Sequence, residues 1–250
     1  MSAATVYMGM PGDEYYAHPA LSQSRIKTWA KPGQKGPTGR ALEVGTAVHT
    51  ILLEGSEAFQ ARYGAKDARA TTELNLATKE GKQSREAWEK AHPGMVYLKP
   101  SEQRRAFKLS EAFESHPTCR GALDNAKAKE LSIIGKIEGI PLDLKCRIDL
   151  VTKNAQGNPV IVDIKTTGCT NREEFKASLI GLGYHVQAAW YVDLFRAGTD
   201  REYPFSFLCI SHRTGEVWPH RMSHEEIAHG RYCYKQLLEL YQRYELKEAA

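Results

Sequence analysis

The chain has 250 residues, 42 % of them apolar, enough for one substantial core with a helical appendage. Its 34 basic and 30 acidic residues leave a net charge of +4, far below that of ribosomal or histone-like proteins, so any charge directed at DNA must be focused in a groove. No apolar run approaches the roughly 20 residues that span a bilayer, and MSAATVYMGMPGDEYY lacks a basic stretch followed by an apolar one, so the expected location is cytoplasmic, with no membrane partner.

In chain order, SQSRIKTW (22–29) reads as a short helix and KPGQKGPTG (31–39) as a loop rich in Gly, Pro and Lys. RALEVGTAVHTILLE (40–54) places Val44, Val48, Ile51 and Leu52 at helical spacing. Residues 60–95 are polar, with one short helix expected at 82–90. A better helix is expected at 101–115, with Ser101 as its N-cap and Glu102 in the first turn. The pattern then changes to strands. LSIIGKIE (131–138), LDLKCRIDLV (142–151) and VIVDIKT (160–166) are joined by short turns and predict an antiparallel meander. Helices are expected at 172–180 and 185–196, strands at 203–211 and 216–222, and a closing helix over 224–247. Ser223 and Glu226 have capping-box spacing at the start of that helix.

The resulting fold class is α/β (mixed α+β), a central mixed sheet with antiparallel hairpin strands flanked by helices. The whole chain, 1–250, reads as one domain. Residues 1–100 are mainly helical, 130–223 bear the sheet and 224–250 form the C-terminal helix. Five cysteines, at 119, 146, 169, 209 and 233, are widely spaced and include no CxxC pair. Neither a disulfide framework nor a zinc site is therefore expected from spacing.

The chemistry concentrates in 142–166. Alternate strand residues share a face, so Lys145, Arg147 and Asp149 are expected on one face of the second strand, and Asp163 and Lys165 on one face of the third. On a solvated face these charges would be cross-strand ion pairs. Yet the flanking VIVDIKT is apolar, and interior carboxylates are costly unless paired or metal-bound. Carboxylate oxygens suit Mg²⁺ or Mn²⁺, and a lysine beside such a cation can orient water or stabilise negative charge. These are the parts of a phosphodiester hydrolase.

Asp149 followed by Asp163-Ile164-Lys165 resembles the signature of the PD-(D/E)XK nuclease superfamily. GTAVH (45–49) resembles the helix motif of its RecB-like branch, and Gln187 with Tyr191 resembles that branch's QxxxY motif. YYAHPALSQSRIK, GTAVHTILLE, KCRID, DIKTT and YHVQAAWYVD are most similar to the RecE-type (exonuclease VIII) phage and prophage exonucleases, a likeness spread over most of 15–195. The resemblance implies Asp149, Asp163, the backbone carbonyl of Ile164 and His49 as metal ligands, with Glu130 near them. Lys165 would act on the attacking water, and Gln187 and Tyr191 would hold the site and the scissile strand. It also implies Mg²⁺ as cofactor, with Mn²⁺ as a substitute. The predicted activity is 5′ to 3′ digestion of double-stranded DNA ends, leaving 3′ tails for recombination. The predicted assembly is a homo-oligomeric ring, a trimer or tetramer, with a single-strand annealing recombinase as partner. Lys145, Arg147, Lys31 and Lys35 are expected to contact DNA, with Arg104 and Arg105 as further backbone contacts. Some relatives hold an iron–sulfur cluster through one early and several late cysteines. Here no cysteine precedes Cys119, so no cluster is expected. Two other readings stay open: an endonuclease of the same superfamily, and a non-catalytic DNA-binding module on a degenerate nuclease fold.

Overall fold

The computed structural model describes residues 3–31, 40–63 and 73–248. In chain order the elements are β1 (Ala4–Tyr7), α1 (Gly12–Ala17), β2 (Leu21–Ser22), α2 (Gln23–Trp29), α3 (Arg40–His49), α4 (Ser56–Tyr63), α5 (Lys79–Ala91), α6 (Pro100–Ser115) and α7 (Pro117–Asp124). They continue as β3 (Ala128–Gly135), β4 (Leu144–Lys153), β5 (Pro159–Thr167), α8 (Arg172–Ser178), α9 (Tyr184–Thr199), β6 (Phe205–Ser211), β7 (Val217–Arg221) and α10 (His224–Glu248).

One mixed sheet has the order β1-β3-β4-β5-β6-β7, with β2 pairing alongside β4. The expected meander β3–β4–β5 is antiparallel, whereas β5 and β6 run parallel. A parallel pair needs a long crossover, and α8 and α9 supply it.

Each face of the sheet is covered by helices. On one side Phe175 of α8, Trp190 of α9 and Tyr234 of α10 pack on Ile133, Ile148, Ile161 and Phe207. On the other, Val44 and Val48 of α3, Phe59 of α4 and Phe113 of α6 pack on Leu150, Val162, Ile164 and Ile210. Burying a side chain of this size contributes about 1.5–3 kcal/mol. The sheet is therefore an interior layer, and polar groups on its central strands need partners.

The side-chain alternation of β4 breaks at Asp149. Ile148 lies in the first core and Leu150 in the second, although the period of a strand would put them together. Opposite, β3 has Glu130 in a left-handed conformation (φ 48°), between the paired residues Lys129 and Leu131. Both irregularities lie at the level of Asp149.

Some local expectations are corrected. Lys99, not Ser101, is the N-cap of α6, because Pro100 fixes the first helical position and Glu102 reaches back to the Lys99 N–H at 2.9 Å. The helix expected at 82–90 is longer, since Thr78 caps it by accepting from the Gly81 N–H at 3.0 Å. After His49 the helix widens into a π-helical segment, Thr50–Glu54. The elements α1, α4, α7, β1 and β2 are short and carry no clear periodic signal.

Helices α9 and α10 are tied by a buried ion cluster. Asp193, 1 % exposed, accepts from Arg231 at 2.6 and 2.7 Å and from the Tyr234 hydroxyl.

Candidate active site

The β4–β5 ladder ends at Leu150–Val162. Beyond it β4 stays paired with β3, and β5 stays paired with β6 as far as Thr167–Ser211, so the two central strands diverge into a fork. Strand β2 pairs with β4 at Leu144 and Lys145, further along the same limb.

Asp149 spans the fork. Its Oδ2 accepts from the backbone N–H of Ile164 at 2.7 Å and lies 3.6 Å from His49 Nδ1. Asp163 and Lys165 share a face of β5. Asp163 is 4 % exposed; its Oδ1 accepts from Gln187 Nε2 at 2.6 Å, and its Oδ2 lies 2.7 Å from Lys165 Nζ. The Lys165 ammonium also sits over the rings of Tyr184, at 5.4 Å, and Phe207, at 5.7 Å.

The electrostatics follow from burial. Burial pushes the Asp149 carboxyl up to about 6; His49 pulls it down and the charge of Asp163 pushes it further up. Burial alone would lower the Lys165 ammonium, but the attraction of Asp163 and its neighbours outweighs this and raises it. Burial, with Asp163 adding to it, raises the Tyr191 hydroxyl well above its ordinary range.

The residues fit a divalent cation. Asp163 Oδ2 is buried and lacks a well-directed hydrogen-bond donor, although the ammonium is close. Two carboxylates and an imidazole converge with one lysine to balance them, which leaves a deficit of positive charge in a dry place.

The remaining expected residues are placed as follows. Gln187 is in contact with Asp163, whereas Tyr191, one turn along α9, packs edge-on against Phe205 at 6.2 Å. Glu130 lies across from Asp149, and its carboxylate is held by Arg147 at 3.1 Å. Gly45 marks where α3 rests on β5: a Cβ there would lie 3.6 Å from Thr166 Cβ, an ordinary contact. Lys31 is exposed after α2, and Lys35 lies outside the described residues. Arg104 and Arg105 are exposed on α6, and Arg105 donates to the His212 carbonyl.

Two expected DNA contacts are corrected. Lys145 is 5 % exposed and donates to the carbonyls of Tyr15 at 2.6 Å and His18 at 2.8 Å, at the C-terminal end of α1. Arg147 donates to the Met10 carbonyl at 2.8 Å and pairs with Glu130. Both are latches on the N-terminal segment, which covers that face of β4.

Two neighbours of the site were not legible. Tyr184 stacks on Phe175 and lies beneath Lys165. Lys27 donates to the Leu182 carbonyl at 2.6 Å; burial lowers its ammonium, and the charges of Lys31 and Lys165 lower it further. The sequence signal for Tyr184 was its place at the start of the helix of Gln187.

A forked mixed sheet that presents Asp149 beside Asp163-x-Lys165 is the PD-(D/E)XK type of fold. The family model described as a PDDEXK-like domain of unknown function (DUF3799) matches residues 20–244, and the chain belongs to that family. Among solved structures, a protein from Eubacterium rectale named "putative exonuclease" is similar at 16 % identity with a TM-score of 0.59. The match covers 93 % of this chain and 86 % of that one, and it supports the fold. The structure of SSO0001 matches at 12 % identity over 87 % of this chain and 83 % of that one, with a TM-score of 0.30, too low to carry an argument. No curated protein matches the chain.

Proposed function

We propose that the chain is a metal-dependent deoxyribonuclease that digests linear double-stranded DNA from its ends. The observation that carries this reading is Asp163, fixed between Gln187 and Lys165 at the fork, with Asp149 bound to the next residue of the same strand. Asp149, Asp163, the Ile164 carbonyl and His49 would hold the cation, Mg²⁺ or Mn²⁺, with Glu130 beside them. When bound, the cation supplies Lewis acidity toward the phosphodiester and makes a water more acidic.

The chain's own groups do the rest. Lys165 stays protonated and offers a fixed positive charge where negative charge develops at phosphorus. Gln187 holds one oxygen of Asp163 so that the other faces Lys165. The apolar cover of Tyr184 and Phe207 limits the freedom of the ammonium. The resemblance to RecE-type exonucleases supports 5′ to 3′ polarity, 3′ single-stranded products, a trimeric or tetrameric ring and an annealing partner.

The test is digestion of linear duplex DNA end-labelled on either strand, with a closed circle in parallel, in Mg²⁺ and in EDTA. Magnesium-dependent release from the 5′ label, absent in Asp163→Ala, is the expected result. Cutting of the circle would replace it with an endonuclease. No hydrolysis with any divalent metal would leave a DNA-binding module.

A further inference from the structure

A second group of metal-ligating side chains lies away from the fork, between α9 and α10. His185 is in the first turn of α9, and His229 and Cys233 are one turn apart on α10. One ligand atom from each lies within 4.8 Å of the others. Linear spacing could not reveal this group, since His185 stands 44 positions before His229 and no CxxC marks it.

Three observations make it more than a chance cluster. The helices approach closely here: a Cβ on Gly230 would stand 2.0 Å from the His185 carbonyl, so glycine is required for the approach that brings the side chains together. His185 is 4 % exposed, and its Nδ1 is buried with no hydrogen-bond partner. His229 stacks on His185 at 4.8 Å.

We propose that His185, His229 and Cys233 form a zinc site that staples the start of α9 to α10. Two imidazoles and a thiolate select a borderline-soft cation and disfavour Mg²⁺. Ligand atoms around tetrahedral zinc stand roughly 3.3–3.7 Å apart, given bonds of about 2.0–2.3 Å. The cluster is wider than this, and His229, which is exposed, has the rotamer freedom to close it. The half-buried Cys233 and exposed His229 give an entry path. Gln187 lies two residues after His185, so the staple would steady the helix that holds Asp163.

The proposal is independent of nuclease activity, and its test reads metal binding directly. The full chain, stripped with chelator, is titrated with Co²⁺ in excess Mg²⁺, which occupies the carboxylate site. The expected result is one equivalent bound, with a thiolate-to-cobalt charge-transfer band that Zn²⁺ bleaches. Cys233→Ser should abolish the band, and His229→Ala should weaken binding at least tenfold. Both variants should keep the wild-type circular dichroism, and Asp163→Ala should keep the band. A band that survives Cys233→Ser, uptake lost only in Asp163→Ala, or no uptake of Co²⁺ or Zn²⁺ would overturn the assignment.

Discussion

The backbone N–H of Ile164 donates to Asp149 Oδ2 at 2.7 Å, just past the last ladder pair, Leu150 with Val162. A side-chain carboxylate thus does what a main-chain carbonyl would do if the strands stayed together. The fork is held open and its donor is still satisfied. The same bond fixes one oxygen of Asp149 toward β5 before any cation arrives.

Asp149→Asn should therefore separate activity from stability. The folded carboxyl sits at about 6, above its ordinary 3.8, so the folded state holds that proton more tightly than the unfolded chain. This contribution favours folding at low pH and is lost as pH rises through about 6. The neutral amide should make the metal-free variant more stable than wild type at pH 8, on the order of 2–3 kcal/mol. The difference should fade between pH 6 and pH 4. Nuclease activity should be lost, and added Mg²⁺ should stabilise wild type but not the variant. Urea melts at pH 8 and pH 4 with and without Mg²⁺ measure all of this; an unchanged or lowered stability at pH 8 would contradict the burial of that charge.

Gln187→Ala should act on chemistry more than on binding. Gln187 touches Asp163 Oδ1, and its removal frees a buried carboxylate to rotate away from Lys165. Loss of a group that orients a ligand typically costs about 10–100-fold in activity or metal affinity. The expected signature is a fall in kcat with KM for DNA nearly constant, and partial recovery at high Mn²⁺. A rise in KM alone would assign Gln187 to DNA contact.

Lys145→Met tests the correction made to its role. Its ammonium satisfies carbonyls at the end of α1 in a buried position. Leaving such acceptors without a donor costs about 1–3 kcal/mol. Thermal stability should fall by that amount, while the affinity of the folded protein for duplex DNA and its salt dependence should not change. A salt slope reduced by one contact would restore Lys145 to the DNA interface.

How far the sequence carries can be seen at these residues. The strands bearing Asp149 and Asp163 were legible because β-branched and alternating segments lie between short polar turns. Gln187 was singled out by a motif, not by periodicity, and its contact with Asp163 comes from the structure. The break in alternation between Ile148 and Leu150 was not legible, because a left-handed residue at Glu130 has no compositional signature. Strand β2, two residues long, is defined by its partner and not by its own pattern. The group around His185 depends on how two helices distant in sequence cross.

His220 should contribute to acid sensitivity. It is 8 % exposed; burial lowers its imidazolium below the ordinary value, and Glu226 at 3.6 Å offsets this only in part. A depressed histidine contributes stability that is present above about pH 6.5 and lost as pH falls through the folded value. Wild type should lose Tm as pH is lowered from 6.5, and His220→Gln should lose less over the same range. Parallel curves for the two proteins would remove His220 from the account.

The strongest stability effect is expected at Asp193. It is almost fully buried on α9 and accepts from Arg231 and Tyr234 of α10. Asp193→Ala leaves the half-buried Arg231 guanidinium and the Tyr234 hydroxyl without their acceptor, a change that costs up to about 3–5 kcal/mol in buried pairs. For a chain of this size that corresponds to roughly 6–20 °C in Tm. Arg231→Met leaves the carboxylate with the Tyr234 hydroxyl and with Arg196 at 3.8 Å, and should cost less. The double variant Asp193→Leu with Arg231→Met removes both charges and should recover a large part of the loss, since neither partner is then left alone. Because α9 also carries Gln187, activity in the single variants should fall at the temperature where α9 and α10 separate, not before. Additive losses in the double variant would show that the two charges are not energetically coupled.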